Sequence, residues 1–282
     1  MHDSIFGDSR SSNDFMLRVI SRFAPSPTGR LHLGHAWSAL LAHDAARAGN
    51  GRFLLRIEDI DVARCRPEFT NAIYEDLNWL GLTWDGDVMI QSRRTAIYQE
   101  ALAQLDGLGV LYRCTCTRTE AGEGRYPGTC RTLGQSEGAW RIDMAKATAM
   151  AGPLHWHDRA QGQIIANPLA EGDIVVARKD IGTSYHLAVT VDDAAQGITH
   201  VVRGMDLFNA TRIHCLLQAL LDLPTPEYQH HRLITGNDGT RLAKRKQSPA
   251  LALMREQGID PQALIQMMRE KRFPVGFALA PL

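Results

Sequence analysis

Apolar residues along this chain fall into two alternating kinds of segment. Val19-Ile20 is a short apolar stretch, and Trp37, Leu40, Leu41, Ala45 and Ala48 then recur at the spacing of one helix face. The run between them therefore lies on a loop that joins a strand to a helix start. Arg52-Phe-Leu-Leu-Arg-Ile57 reads as a buried strand ending in Glu58-Asp-Ile-Asp61. Pro67 predicts the opening of a helix that continues to Leu80 and stops at Gly81, since proline suits a first helical position and glycine a terminus. Another helix is expected from Arg93 to Leu108, with Ile97, Ala101, Leu102 and Leu105 on one side, and Val110-Leu-Tyr112 is strand-like. Thr117 to Gly138 is rich in Gly, Thr and Arg and has little periodicity, so it reads as a small inserted element. Ile174-Val-Val-Ala177 and Leu187-Ala-Val-Thr-Val191 look like strands, and Ala210 to Leu221 like an amphipathic helix. Ser248-Pro249 and Asp260-Pro261 signal two more helix starts, with the last helix ending near Arg272 and a short apolar tail after Phe273. Strands alternating with helices imply an α/β fold whose mostly parallel sheet is covered on both faces. The expected division is a disordered tail at 1–16, half-sheets at 17–113 and 173–247, an insert at 114–172, and a short helical segment at 248–282.

Composition narrows the class without naming it. The chain has 282 residues, 44% hydrophobic and 22% charged, ordinary values for a globular protein with one large core. No apolar run approaches the ~20 residues a membrane helix needs. The first residues, His2 to Phe15, lack the basic start and apolar stretch of a signal peptide. Five cysteines, an odd number, argue against a disulfide framework and for a reducing cytoplasm. Formal net charge is zero, so no general basic field advertises nucleic acid, although a local patch is compatible with that balance.

Candidate chemistry concentrates in four places. The loop run is Arg22-Phe-Ala-Pro-Ser-Pro-Thr-Gly-Arg-Leu-His-Leu-Gly-His35. A helix N-terminus exposes unpaired N–H groups and the positive end of its dipole, which suits a phosphate. Gly34 would let a flat base approach the backbone, and His32 and His35 can face one anion or simply cap the helix. Cys114, Cys116, Tyr126 and Cys130 form the second group. Three thiols within seventeen residues of loop-rich chain suit a tetrahedral metal such as zinc. A phenolate is an uncommon ligand, so His155 and His157 are the first alternatives for the fourth position. Third, Arg22, Ser26, Glu58, Tyr185 and Arg203 are expected at strand ends or adjoining loops, where open α/β sheets collect ligands. Arginines there would take carboxylates in a bidentate fork, and an acid would take an ammonium. Fourth, Arg241-Leu-Ala-Lys-Arg245 follows the turn-rich Gly236-Asn-Asp-Gly-Thr240 and could close over a triphosphate.

Taken together, these segments resemble the class I aminoacyl-tRNA synthetases, in the form of the glutamyl-tRNA synthetase family. The 22–35 run matches the first class I signature. Arg241 to Arg245 matches the second, with Arg241 in place of a lysine and Ala243 in place of a serine. The resemblance covers about 17 to 270 and implies a Rossmann-like catalytic domain that binds ATP with magnesium at His32, Gly34, His35, Arg241 and Lys244. It implies glutamate binding by Arg22, Phe23, Ala24, Pro25 and Ser26, by Glu58 of the R-I-E-D segment, and by Tyr185 and Arg203 of Y-H-L-A-V-x-V-D-D…V-x-R-G. His32, His35 and Lys244 would be the catalytic set. C-x-C…Y-x3-C is similar to the structural zinc site of the truncated branch that attaches glutamate to queuosine in tRNA(Asp), which makes Tyr126 the implied fourth ligand. That branch lacks the helical domains that read the anticodon, and the chain after Arg272 matches it. The expected partners are ATP, L-glutamate and queuosine-bearing tRNA(Asp), with glutamate activated without tRNA by a cytoplasmic monomer. A glutamyl-tRNA synthetase that borrows anticodon recognition and a non-catalytic RNA-binding relative are the competing readings.

Overall fold

In the computed structural model, residues 18–122, 124–236, 239, 242 and 249–281 are described. The expected tail at 1–16, and Arg241, Ala243 and Lys244 of the basic loop, lie outside them. The chain opens with β1 (Ile20–Phe23), α1 (Leu33–Ala48), β2 (Arg52–Ile57), α2 (Pro67–Trp79) and a two-residue β3 (Met89–Ile90). Next come α3 (Thr95–Gly107), β4 (Leu111–Cys114), the single-turn α4 (Arg118–Ala121), β5 (Ala139–Ile142) and α5 (Met144–Ala151). A hairpin of β6 (Leu154–Asp158) and β7 (Gly162–Ala166) leads to β8 (Val175–Ala177), α6 (Tyr185–Ala195) and β9 (His200–Gly204). The chain finishes with α7 (Ala210–Leu220), β10 (Glu227–His231), β11 (Ile234–Gly236), α8 (Leu251–Glu256), α9 (Pro261–Arg269) and β12 (Phe277–Leu279).

β1, β2 and β3 pair in parallel, and β10 pairs in parallel with both β9 and β6. A seam joins these two groups, because the Thr199 N–H reaches the Ile20 carbonyl at 3.0 Å and the Ile20 N–H reaches Thr199 Oγ1 at 2.8 Å. The resulting order β3-β2-β1-β9-β10 reverses direction between β1 and β9, which is where an open α/β sheet leaves a crevice at its strand ends. Antiparallel pairing enters at the hairpin β6–β7, at β4-β5-β8 and at β11–β12. α1 packs on the sheet with Leu33, Ala36, Trp37, Leu40 and Ala46 buried, and Ser21 Oγ donates to the Ala42 carbonyl at 2.6 Å to fix its position.

Most expected elements stand close to their predicted places, and the differences have physical causes. Leu187 to Val191 is helix, not strand, as part of α6. Ser184 caps that helix by accepting from the Leu187 N–H, and every residue from Leu187 to Asp193 is buried. A helix buried on all sides has no polar face, so its sequence carries no period. Tyr185 is accordingly the first residue of a helix and not the end of a strand. In α3 the buried side is Tyr98, Ala101, Leu102 and Leu105, while Ile97 faces outward. β5, α5 and the β6–β7 hairpin carry no clear periodic signal, because their elements are short and half-exposed.

Candidate active site

The crevice at the switch between β1 and β9 is a cavity of about 440 Å³. Its walls bring together Arg22, Phe23, Ala24, Pro25, Ser26, His32, Gly34, His35, Glu58, Tyr185 and Arg203, which is every described residue expected from the sequence to bind glutamate or ATP. Leu242, between the undescribed parts of the basic loop, also lines it.

Of the two roles expected for His32 and His35, the structure shows the helix cap. His32 is the N-cap of α1: its Nδ1 accepts the Gly34 N–H at 3.1 Å, and His35 Nδ1 accepts the His32 N–H at 3.1 Å. Because each Nδ1 accepts, the neutral imidazole carries its proton on Nε2, which makes each ring a hydrogen-bond donor at a helix N-terminus. The two rings lie with centroids 3.8 Å apart. A Cβ at Gly34 would stand 3.0 Å from His32 Cε1, so a side chain there would press on the capping imidazole.

The acid-binding side rests on a buried charge network. Arg22, Arg56, Glu58, Asp193 and Arg203 are all buried. Arg22 donates from Nε and Nη2 to the two Asp193 oxygens at 2.9 and 3.2 Å. Arg56 donates to Asp193 at 2.8 Å, to Gln196 at 2.9 Å and to Glu58 at 3.2 Å. Burial works against the Asp193 carboxylate, yet the two arginines hold it below the usual range. At Glu58 burial wins over the pull of Arg56 and Arg22 and pushes the carboxyl up. Burial likewise raises the Tyr185 phenol. Neighbouring Asp192 ties α6 to α3 and the turn before it by accepting from Gln91 at 2.8 Å, Arg94 at 2.7 Å and Tyr98 at 2.8 Å.

Arg203 is oriented from three directions. Its Nε donates to His230 Nε2 at 3.1 Å, Nη1 to His214 Nδ1 at 3.1 Å and Nη2 to Thr211 Oγ1 at 2.6 Å. A guanidinium carries five N–H bonds, so two remain for a ligand. Both histidines must accept and are therefore neutral. His230 carries its proton on Nδ1, toward Asp158 Oδ2 at 2.7 Å, and His214 on Nε2, toward His186 Nδ1 at 3.2 Å. Burial and the Arg203 charge depress all three, His230 and His186 to about 4 and His214 well below its ordinary value.

Asp193, Arg56, Asp158, His214, His230 and Thr211 were not singled out by the sequence reading. Arg56 carried a signal, being a charge between Leu55 and Ile57 in a buried strand. Asp193 lies inside the quoted Y-H-L-A-V-x-V-D-D segment. His230 and Asp158 meet across 72 positions, whereas Thr211 and His214 stand only 8 and 11 positions from Arg203 and carry no motif that marks them.

The cysteine group also assembles. Sγ atoms of Cys114, Cys116 and Cys130 lie within 4.8 Å of one another, and the Tyr126 hydroxyl is 3.4 Å from Cys114 Sγ and 3.3 Å from Cys116 Sγ. Corners of a tetrahedron about 2.3 Å from a metal stand about 3.8 Å apart, close to the 3.4 Å between Cys116 and Cys130. This donor set therefore fits a thiophilic ion. His155 and His157 are exposed on β6 instead, with His157 Nδ1 at 3.1 Å from Glu227. Burial disfavours the Cys130 thiolate, but hydrogen bonds from Tyr126 and Cys116 bring its pKa down to about 7. Gly138, at φ +112, allows the chain to pass the Cys114 carbonyl, which a Cβ would meet at 2.3 Å. Buried Asp173 anchors this element to the sheet, accepting from Arg131 at 2.7 Å, Tyr112 at 2.6 Å and the Met144 N–H at 3.0 Å. Cys215 is a packing residue whose thiol burial pushes up to about 12.

Residues 18–276 match the catalytic domain of the class I tRNA synthetases of E and Q type, and the chain belongs to that family. It has that family's Rossmann-like catalytic fold. Among its relatives, the glutamyl-Q tRNA(Asp) synthetase of Rhodobacter capsulatus is 48% identical over 272 residues, covering 86% of this chain and 97% of that protein. The glutamate–tRNA ligase of Oleidesulfovibrio alaskensis is 39% identical over 264 residues, covering 90% of this chain and 57% of that protein. The crystal structure of glutamate-tRNA synthetase from Elizabethkingia anophelis superposes with a TM-score of 0.77 at 27% identity, and the chain spans 90% of its own length but 61% of that protein's. Among the described residues no helix is long and apolar enough to cross a membrane.

Proposed function

We propose that this chain condenses L-glutamate with ATP to glutamyl-adenylate, releasing pyrophosphate, and then transfers the glutamyl group to queuosine in tRNA(Asp). The observation that carries the reading is the charge built into the walls of one cavity. Buried Arg22, Glu58 and Arg203 line the same cavity, a set that can pair two carboxylates and one ammonium, and Arg56 and Asp193 are hydrogen-bonded to Glu58 and Arg22. Arg22 and Arg203 take the two carboxylates, Glu58 faces the ammonium, and the Phe23 to Ser26 backbone and Tyr185 enclose the remainder. ATP lies over Gly34, with its magnesium, and the Nε2–H groups of His32 and His35 donate to the phosphates as charge develops there. A glutamate carboxylate oxygen attacks the α-phosphorus and the bond to pyrophosphate breaks; Arg241 and Lys244 stabilise that leaving charge.

Because Asp193, His214, His230 and Thr211 orient the arginines from within the chain, activation needs no RNA contact. A zinc ion at Cys114, Cys116, Tyr126 and Cys130 would hold its element in shape. The halves at 17–113 and 173–247 form the catalytic domain, 114–172 carries the metal, 248–282 is a short helical segment, and the whole acts as a cytoplasmic monomer. Support for queuosine as acceptor is the match to a glutamyl-Q tRNA(Asp) synthetase along 97% of that relative's length.

The test supplies labelled glutamate. Pyrophosphate exchange should proceed without tRNA, and label should pass to tRNA(Asp) bearing queuosine, but not to tRNA(Asp) without it or to tRNA(Glu). Label lost on trimming the 3′ adenosine would instead establish an ordinary glutamyl-tRNA synthetase.

A further inference from the structure

Ser38 and His231 also line the cavity between β1 and β9, and Ser38 Oγ lies 2.6 Å from His231 Nε2. Ser38 stands four residues after Gly34 on α1, about 6 Å along its axis, so the two share a helix face. His231 ends β10, and its Nδ1 lies 3.0 Å from the Arg232 carbonyl. A carbonyl only accepts, so Nδ1 carries the ring proton. His231 is 8% exposed, and burial pushes its pKa down, which keeps the ring neutral. Its Nε2 therefore bears a lone pair and no hydrogen, and the Ser38 hydroxyl must donate to it. The serine proton is committed to the histidine. What the serine oxygen still offers the cavity is its lone pairs, which no other hydrogen bond engages among the described residues. Leu233 and Ile234, just beyond His231 in the chain, add apolar lining. β12 holds them in place by pairing Leu279 with Ile234, and the Ala280 N–H donates to the Leu233 carbonyl at 2.7 Å.

We infer that Ser38, with its hydroxyl fixed by His231, reads the 6-position of the purine and selects adenine over 6-oxopurines. The inference rests on the reading of this cavity as an ATP site. The base lies over Gly34 and extends along α1, which brings its 6-substituent to Ser38 and sets its ring against Leu233 and Ile234. Adenine carries an amino group at that position, a donor, whereas a 6-oxopurine carries an oxygen, an acceptor. The serine oxygen accepts from the amino group. An oxo group would face an oxygen whose hydrogen already points to His231, so two acceptors would meet with no proton between them. A serine hydroxyl left to rotate would turn its hydrogen toward either purine, because a hydroxyl both donates and accepts. His231 removes that freedom, and the discrimination comes from the mismatch it enforces. Ser38 is thus a specificity residue, and His231 a positioning residue that acts through it.

Inosine triphosphate is the probe, since it replaces the 6-amino group with oxygen and adds no 2-amino group. Calorimetric Kd values for ATP and inosine triphosphate, each with magnesium and the full chain, give a preference ratio. Wild type should prefer ATP by at least about tenfold, the scale of one hydrogen bond. Ser38→Ala should weaken ATP by about tenfold and leave inosine triphosphate within about two-fold, so the ratio collapses. His231→Leu should act from the other side: the freed hydroxyl turns, ATP weakens by less than about threefold, and inosine triphosphate binds several-fold tighter. A merely structural histidine would weaken both nucleotides alike. An unchanged ratio in both variants, or equal loss of the two nucleotides, would overturn the inference. Glutamate-dependent pyrophosphate exchange tests the underlying reading separately. A wild type that prefers ATP, loses the preference on Ser38→Ala and yet shows no exchange would uphold base selection and overturn the functional reading.

Discussion

At the scale of single residues, the site works by forcing histidines to stay neutral. His230 and His214 accept hydrogen bonds from Arg203, and a protonated ring could not accept. In the unfolded chain each histidine binds a proton near its ordinary 6.5, whereas folded His230 and His186 remain neutral to about 4. Between those values the unfolded chain holds more protons. The stabilisation is therefore complete above pH 6.5 and is lost as the pH falls toward 4, about 3 kcal/mol for a shift of this size at a buried site such as His230. Urea midpoints measured between pH 7.5 and 4.5 should fall accordingly, and His230→Gln should flatten the curve; a midpoint indifferent to pH would refute neutral histidines. His32 allows a cleaner separation of structure from chemistry. His32→Asn keeps an N-cap acceptor and should change stability by less than about 1 kcal/mol. It removes the Nε2–H donor, so pyrophosphate exchange should fall by about two to three orders of magnitude. Exchange at the wild-type rate would reduce His32 to a cap.

Elements, rather than residues, decide the metal question. The candidate ligand atoms come from the end of β4 and the segment that follows it, a piece of chain with its own small buried cluster of Cys114, Tyr126 and Cys130. Asp173 and the Arg141 guanidinium, 3.8 Å above the Tyr126 ring, clamp that cluster onto β4 and β5. Elemental analysis of protein purified without added metal should find one zinc per chain. Cys114→Ser should lose it and expose the element to proteolysis while the parallel sheet stays folded. Tyr126→Phe should weaken retention against a chelator by about tenfold or more. Unchanged retention in that variant would remove the phenol from the ligand set. Gly138→Ala should resemble Cys114→Ser, because the added methyl would collide with the Cys114 carbonyl.

For the molecule as a whole, the seam between β1 and β9 sets where a ligand can bind. Arg22 is carried by one side of it and Arg203 by the other. Thr199 stitches the two through both its backbone and its hydroxyl. Thr199→Val leaves the Ile20 N–H without its acceptor and should cost about 1–2 kcal/mol. The spacing of the two arginines should loosen with it, so KM for glutamate should rise more than KM for ATP. Equal changes in both, or neither, would show that the seam does not govern the cavity. Net charge is zero over the whole chain, so RNA affinity should come from a few local cations, and transfer should weaken as salt rises with a shallow slope.

Much of this was readable without coordinates, because it is local chemistry. The helix start at Leu33 is announced by its own capping residues, the start of α9 by Asp260-Pro261, and a thiol cluster by cysteine spacing. The candidate glutamate and ATP residues came from the resemblance of contiguous segments to a known family, and the fold gathers those that are described into one cavity. Other features only the tertiary structure could decide. Arg22 and Asp193 meet across 171 positions, and no short-range pattern encodes which carboxylate will neutralise which arginine. The helical state of Leu187 to Val191 depended on burial from every side, which erases the periodicity that would have revealed it. Tyr126 was set among the thiols, and His155 and His157 apart from them, by strand pairings: β6 joins β10, whereas β4 pairs with β5. Local sequence specifies turns, caps and ligand types through forces that act within a few residues. Which of those groups become neighbours is a matter of sheet order and register, settled by the cooperative burial of the entire core.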